Sequence, residues 1–94
     1  MLVKVFVKDP DSRLDYGVDW SDFLTANDDT VSTATFVNTH EDLLLEDATL
    51  ADGVIHACFI SGGVLGRTYH VTSRIVTAGG RTKDHSFALL MREK

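Results

Sequence analysis

One cysteine, one proline and no run of about 18 apolar residues set the first limits on this chain of 94 residues. Cys58 alone excludes an intramolecular disulfide, and its place in the apolar run 54–60 predicts a buried, unreactive thiol. Without a long apolar stretch no membrane-spanning helix is expected, and the opening MLVKVFVKDP is too short and too charged for a signal peptide. Folding in a cytoplasm is the expectation that follows. The four histidines, His40, His56, His70 and His85, are scattered without the short paired spacing of a zinc site. Asp9, Asp11 and Asp15 lack the spacing and terminal glutamate of a calcium loop. No metal or cofactor is therefore expected. A strand rather than a helix follows Gly62-Gly63-Val64-Leu65-Gly66, which argues against a phosphate cradle, and Ser61 has no nucleophile-elbow context. Catalysis is not expected.

Positive charge is scarce in one half of the sequence. Residues 1–52 hold twelve acids against Lys4, Lys8 and Arg13, while residues 53–94 hold two acids against six Lys/Arg, for a net charge of −5 overall. An acidic chain does not suit nucleic acid, which needs a concentrated basic surface. Two readings of the asymmetry stand. The halves can interleave and neutralise each other, or they can form opposite faces that meet between subunits. On the second reading the acidic candidates are Asp9, Asp11, Asp15, Asp19, Asp28 and Asp29, and the basic ones Arg67, Arg74, Arg81 and Lys83.

What is abundant is two-residue alternation. Tyr69, Val71, Ser73, Ile75 and Thr77 alternate with His70, Thr72, Arg74 and Val76, as in a strand with one buried face. Ala78-Gly79-Gly80-Arg81 is turn chemistry, and alternation resumes with Phe87, Leu89 and Met91, so residues 61–91 read as a hairpin whose last strand closes a sheet. Gly62, Gly63 and Gly66 lead into Tyr69. A tyrosine there, with its ring buried and its hydroxyl bonded to upstream backbone, is the tyrosine corner of immunoglobulin-like sandwiches, with Val71 where an antibody domain places its second cysteine.

The first half supplies further strands. Residues 2–7 alternate Val3, Val5 and Val7 against Leu2, Lys4 and Phe6, predicting a mostly buried face before Pro10 ends the strand. Leu14, Tyr16, Val18 and Trp20 follow at strict spacing. Ser21 could cap one helical turn. A third strand over 30–37 has an ambiguous inward face. Residues 43–46 read as a short strand and 47–53 as a turn, the strand being preferred to a helical turn or two over 43–50 because its neighbours are strands. Residues 53–60 are apolar on both faces, as befits a central strand. About seven strands and no long helix predict a single all-β domain over 1–94, an immunoglobulin-like β-sandwich, with Tyr16, Trp20, Phe59, Tyr69, Val71 and Phe87 in its core. Gly62, Gly63, Gly66, Gly79 and Gly80 are the expected turn glycines.

A family resemblance rests on an ordered set of segments. Lys8-Asp9-Pro10-Asp11, Leu14-Asp15-Tyr16, Val18-Asp19-Trp20-Ser21-Asp22-Phe23-Leu24, Asp29-Thr30-Val31-Ser32, Ser61-Gly62-Gly63 with Gly66, Tyr69, Val71 and Thr72, and Thr77-Ala78-Gly79-Gly80-Arg81-Thr82 together resemble small structural proteins of tailed phages and prophages, of the fibre–tail adaptor kind. The set spans nearly the whole chain. Phe36 departs from it, standing where a tryptophan is expected in the third strand. The resemblance implies a non-enzymatic virion component, made in the bacterial host cytoplasm, whose partners are other virion proteins or further copies of itself in a ring. The net charge and the missing apolar run leave neither nucleic acid nor membrane as expected partner, and the charge split, taken with the geometry of a ring, makes Asp15, Asp19, Arg67, Arg74 and Arg81 the interface candidates. The competing reading is a β-sandwich that binds carbohydrate or a cell surface, which an exposed aromatic platform would favour.

Overall fold

The computed structural model of the chain describes residues 4–38 and 40–93. Residues 2 and 3 of the expected first strand lie outside the described residues. Seven strands and one short helix follow in order: β1 (Lys4–Lys8), β2 (Leu14–Asp19), α1 (Ser21–Ala26), β3 (Val31–Val37), β4 (Leu43–Ala51), β5 (Ile55–Gly62), β6 (Thr68–Thr77) and β7 (Thr82–Met91). They form two sheets, of order β1-β7-β6-β3 and β2-β5-β4. The protein is an all-β sandwich. Among the described residues no helix is long and apolar enough to cross a membrane.

Alternation dictates which side chains enter the space between the sheets. Tyr16 and Val18 of β2, Ile60 of β5, Tyr69, Val71 and Ile75 of β6, and Phe87, Leu89 and Met91 of β7 are all buried there. Each such side chain contributes about 1.5–3 kcal/mol relative to exposure. Trp20 seals one end, its ring edge-on to Phe23 and its indole N–H donating to Ser73 Oγ at 3.1 Å. Ser73 Oγ also lies 2.7 Å from Nδ1 of buried His56. This polar trio ties the two sheets together. Burial lowers the His56 pKa, and the Phe36 ring stacks on the imidazole at 3.8 Å. Among the described residues no buried side-chain nitrogen or oxygen lacks a partner.

Several expectations need correction. β7 does not close its sheet: β1 pairs with it in parallel, Val5 opposite Ala88, and makes it interior. Parallel pairing between the two ends of a chain leaves no local trace. In β1 the valine face is the outer one, with Val5 58 % exposed, while Phe6 packs on the core and Lys8 is fully buried. Phe59, expected in the core, lies half-buried on the outer face of β5 under the Arg13 guanidinium, 4.3 Å from its ring. The inward residues of that strand are His56, Cys58 and Ile60. Ser21 does not cap α1; the Asp19 carboxylate accepts the Ser21 N–H at 2.9 Å. β4 runs on to Ala51 because an irregularity between Glu46 and Thr49 absorbs the residues read as a turn. A bulge between Val31 and Thr33 likewise explains the ambiguous third strand. It brings Val31 onto the inward side with Ala34 and Phe36.

Candidate functional site

What a fold of this kind offers a partner is the backbone, charge and apolar area it leaves open at its surface. The two ends of the sandwich are tied down from within. At one end Lys8 crosses under the loops, and its ammonium donates to the carbonyls of Asp9 and Gly62, both at 2.9 Å. Burial lowers its pKa against the pull of Asp9 and Asp11. Beside it Tyr69 performs the anchoring expected of it: its hydroxyl accepts the Val64 N–H at 2.9 Å and donates to the Asp42 carboxylate at 2.6 Å. Gly62, Gly63 and Gly66 all have positive φ in this loop. At Gly63 (φ +98) a Cβ would also meet the Met91 side chain at 2.7 Å, so both conformation and space require glycine.

The opposite end is pinned by Asp29. Its carboxylate accepts the Thr30 and Gly79 N–H groups and the Arg81 guanidinium. Hydrogen bonds, that of the Thr77 hydroxyl foremost, hold this carboxyl down to about 2. In the adjoining turn Gly80 has positive φ and Gly79 does not. What Gly79 provides is room, since a Cβ would lie 2.8 Å from an Asp29 oxygen.

Charge is sorted by sheet rather than by sequence half. The strands β2 and β4 carry Asp15, Asp19, Glu46 and Asp47 and no cation, while β1, β6 and β7 carry Lys4, Lys8, Arg74 and Lys83 against Asp84. Of those cations Lys8 is buried and Arg74 is paired, so neither is free to meet a partner. Arg74 holds Asp84 through both its Nε and Nη2, at 2.8 and 3.0 Å, and Arg81 holds Asp29 at 2.9 Å. Two of the three basic interface candidates are thus joined to acids of their own chain. Arg67 remains exposed in the β5–β6 loop, and Asp15 and Asp19 are exposed on the acidic sheet. Arg13 spans Glu46 and Asp47 there. The two faces differ accordingly: the outer surface of β2-β5-β4 is acidic, and that of β1-β7-β6-β3 is an uncharged field of Val, Thr, Ser and Leu around one Arg74–Asp84 pair.

Two grooves open where the sheets part. One, of about 360 Å³, lies between β1 and β2 over Phe6, Trp20, Phe23 and Phe87, with Lys4 and Lys83 facing Asp19 and Asp22 across it. The other runs between the edge strands β3 and β4. Its larger section is about 470 Å³ and is lined by Ala34, Phe36, Leu45, Ala48 and Cys58 among others. A smaller section continues beside Ser32, Ala34, Thr49 and His56. None of the eight aromatic side chains is exposed, so no aromatic platform is presented for a sugar ring. Among the described residues no three His, Cys, Asp or Glu are placed to hold a metal ion. Burial raises the Cys58 thiol to about 11, which keeps it protonated and inert.

Sequence reasoning did not foresee Lys8, Asp29, Asp42 or the β3 edge as organising features. Only the last left a signal, since VSTATFV is the one edge strand without charge, glycine or proline. No curated protein matches the chain. A family model does match, over residues 8–90, so the interval from buried Lys8 to the end of β7 lies almost wholly within it. The chain belongs to the family described as podophage GP4 fiber-tail adaptor protein gp77.

Proposed function

We propose that the chain is a non-enzymatic adaptor of a podophage-type virion, a single sandwich domain that joins tail to fibre by protein–protein contact. The observation that carries this reading is the family match over residues 8–90, which takes in β2 to β6 whole, β7 up to Leu90 and only Lys8 of β1. Its surface supports the same role, with an uncharged sheet, open strand edges and an inert thiol. The immunoglobulin kinship is part of the reading: β2-β5-β4 and β7-β6-β3 have the order of the B-E-D and C-F-G blocks of a constant-type domain, with the first strand moved to the other sheet. Residence in the virion after synthesis in the host, partners other than nucleic acid or membrane, and several copies around the tail axis belong to it as well. The acidic outer face of β2-β5-β4 supports protein partners over nucleic acid.

Deleting the gene and imaging the particles by electron microscopy is the test. Tails should assemble without fibres, and adding the purified chain together with fibres should restore them. Particles that carry their normal complement of fibres without the chain would refute the proposal.

A further inference from the structure

Each sheet of an open sandwich ends in edge strands whose outer N–H and C=O groups are unpaired, and folded proteins usually blunt such edges. Three of the four here are blunted. β1 is five residues long, begins and ends in lysine and is followed by Pro10. β2 carries Gly17 between Asp15 and Asp19. β4 is distorted near Asp47, which has a φ of 53°, and is charged at Glu46 and Asp47. β3 has only its bulge at one end, and from Thr33 to Val37 it is regular, uncharged and rich in β-branched residues.

The phase of the hydrogen bonds says which of its residues face outward. The Met91 N–H donates to the Arg67 carbonyl at 2.9 Å, so Thr68 and Leu90 sit opposite without bonding each other. Tyr69, Val71, Ser73 and Ile75 therefore bond β7, and Thr72, Arg74 and Val76 turn their backbone groups toward β3. Their register partners there are Val37, Thr35 and Thr33. Ala34 and Phe36, in between, direct N–H and C=O to the open edge. Their side chains point to the inner side and line the groove beside β4.

We propose that this edge is the docking line for an extended segment of a second virion protein, which pairs with the backbone of Ala34 and Phe36 as an added strand and lays alternate apolar side chains into the β3–β4 groove. The inference rests on the adaptor reading and names the surface through which it works. The occupant is extended because only a strand supplies donors and acceptors at this spacing. It is apolar on alternate residues because Phe36, Leu45, Ala48 and Cys58 line the groove, and polar on the others, which meet Thr35, Asn38, Glu46 and Asp47 of the same lining. A second copy of the chain fits less well, since joining two copies through β3 brings their β4 rims side by side, each with an Arg13–Glu46–Asp47 cluster that is negative on balance.

Amide hydrogen exchange of the whole chain, free and bound to purified tails or purified fibres, tests this. Exchange at Ala34 and Phe36 should slow at least tenfold in one of the complexes, while Val5 on the β1 edge stays unchanged. Ala34→Pro, which removes an outward N–H and spares the bonds to β6, should weaken that complex at least tenfold, as should Ala34→Lys, which puts a charge in the groove. A complex that forms with both amides exchanging as before overturns the inference and leaves the adaptor reading standing. Protection that arises in the chain alone as its concentration rises overturns the choice of occupant. Failure to bind either tails or fibres overturns the adaptor reading and the inference together.

Discussion

The two sheets share one core but meet the solvent in opposite ways. The outer face of β2-β5-β4 carries Asp15, Asp19 and Glu46 around half-buried Phe59, and that of β1-β7-β6-β3 carries Val5, Val7, Thr72, Val76 and Leu90 around one internally satisfied ion pair. Exposed acid keeps a face soluble and free of adventitious contacts, whereas an uncharged, β-branched face costs little to desolvate. The comparison teaches that two of the basic candidates, Arg74 and Arg81, are committed to acids of their own chain. They secure β7 and the β6–β7 turn, while Asp15 and Asp19 stay exposed on the sheet whose edge strand β4 forms the other wall of the docking groove.

Substitutions at matched positions of the two surfaces sharpen the contrast. The largest effect is expected between two aromatics. Trp20→Ala removes a buried ring and its bond to Ser73, and should cost about 3–5 kcal/mol. Phe59→Ala on the acidic face should cost roughly 1 kcal/mol, most of it the lost contact with Arg13. Urea melts of the two variants measure the gap, and equal losses would erase the distinction between inner and outer ring. Next is Gly63→Ala, which forces a side chain into a positive φ and against Met91, at a cost of about 1–3 kcal/mol by the same melts. A variant as stable as the parent would show that the loop relaxes freely.

Tyr69→Phe should lose about 1 kcal/mol, because the Asp42 carboxylate and the Val64 N–H both lose their partner. Arg74→Ala should leave stability nearly unchanged, since the Asp84 pair is half-exposed and screened. A larger loss would mean that the uncharged sheet depends on its one ion pair. A gentler test uses pH. Burial depresses the His56 pKa below 6.5, so its contribution is complete above pH 6.5 and is lost as pH falls, the unfolded chain taking a proton that the folded one refuses. Stability measured from pH 7 to 5 should decline less in His56→Gln than in the parent.

How much of this was legible depends on how local the cause was. β6 was readable to the residue, because alternating Tyr69, Val71, Ser73, Ile75 and Thr77 faces one core and every second position is solvent. Tyr69 as a loop anchor was readable too, from the glycines before it. β1 was not, since its valines outrank Phe6 and Lys8 in apolarity, and only the distant Gly62 carbonyl makes room for a buried ammonium. Phe59 and Cys58 are adjacent apolar residues, so β5 gave no parity to choose between them, and the side taken is set by its neighbours β2 and β4. The bulge in β3 defeats any two-residue period. The docking edge followed from an absence, the lack of charge over 31–37, which gains meaning only once β3 is known to be an edge.

The most direct measurement of the central claim compares one added charge on each face. Thr35→Glu lies on β3 in the uncharged sheet, and Leu44→Glu lies on β4 in the acidic one, on its outer face and away from the groove. Both positions are exposed, so both variants should fold and melt as the parent does. Binding of the three proteins to purified tails and purified fibres, followed by sedimentation, gives the result. The account predicts at least a tenfold loss for Thr35→Glu and unchanged binding for Leu44→Glu; a loss confined to Leu44→Glu, or none in either, would contradict it.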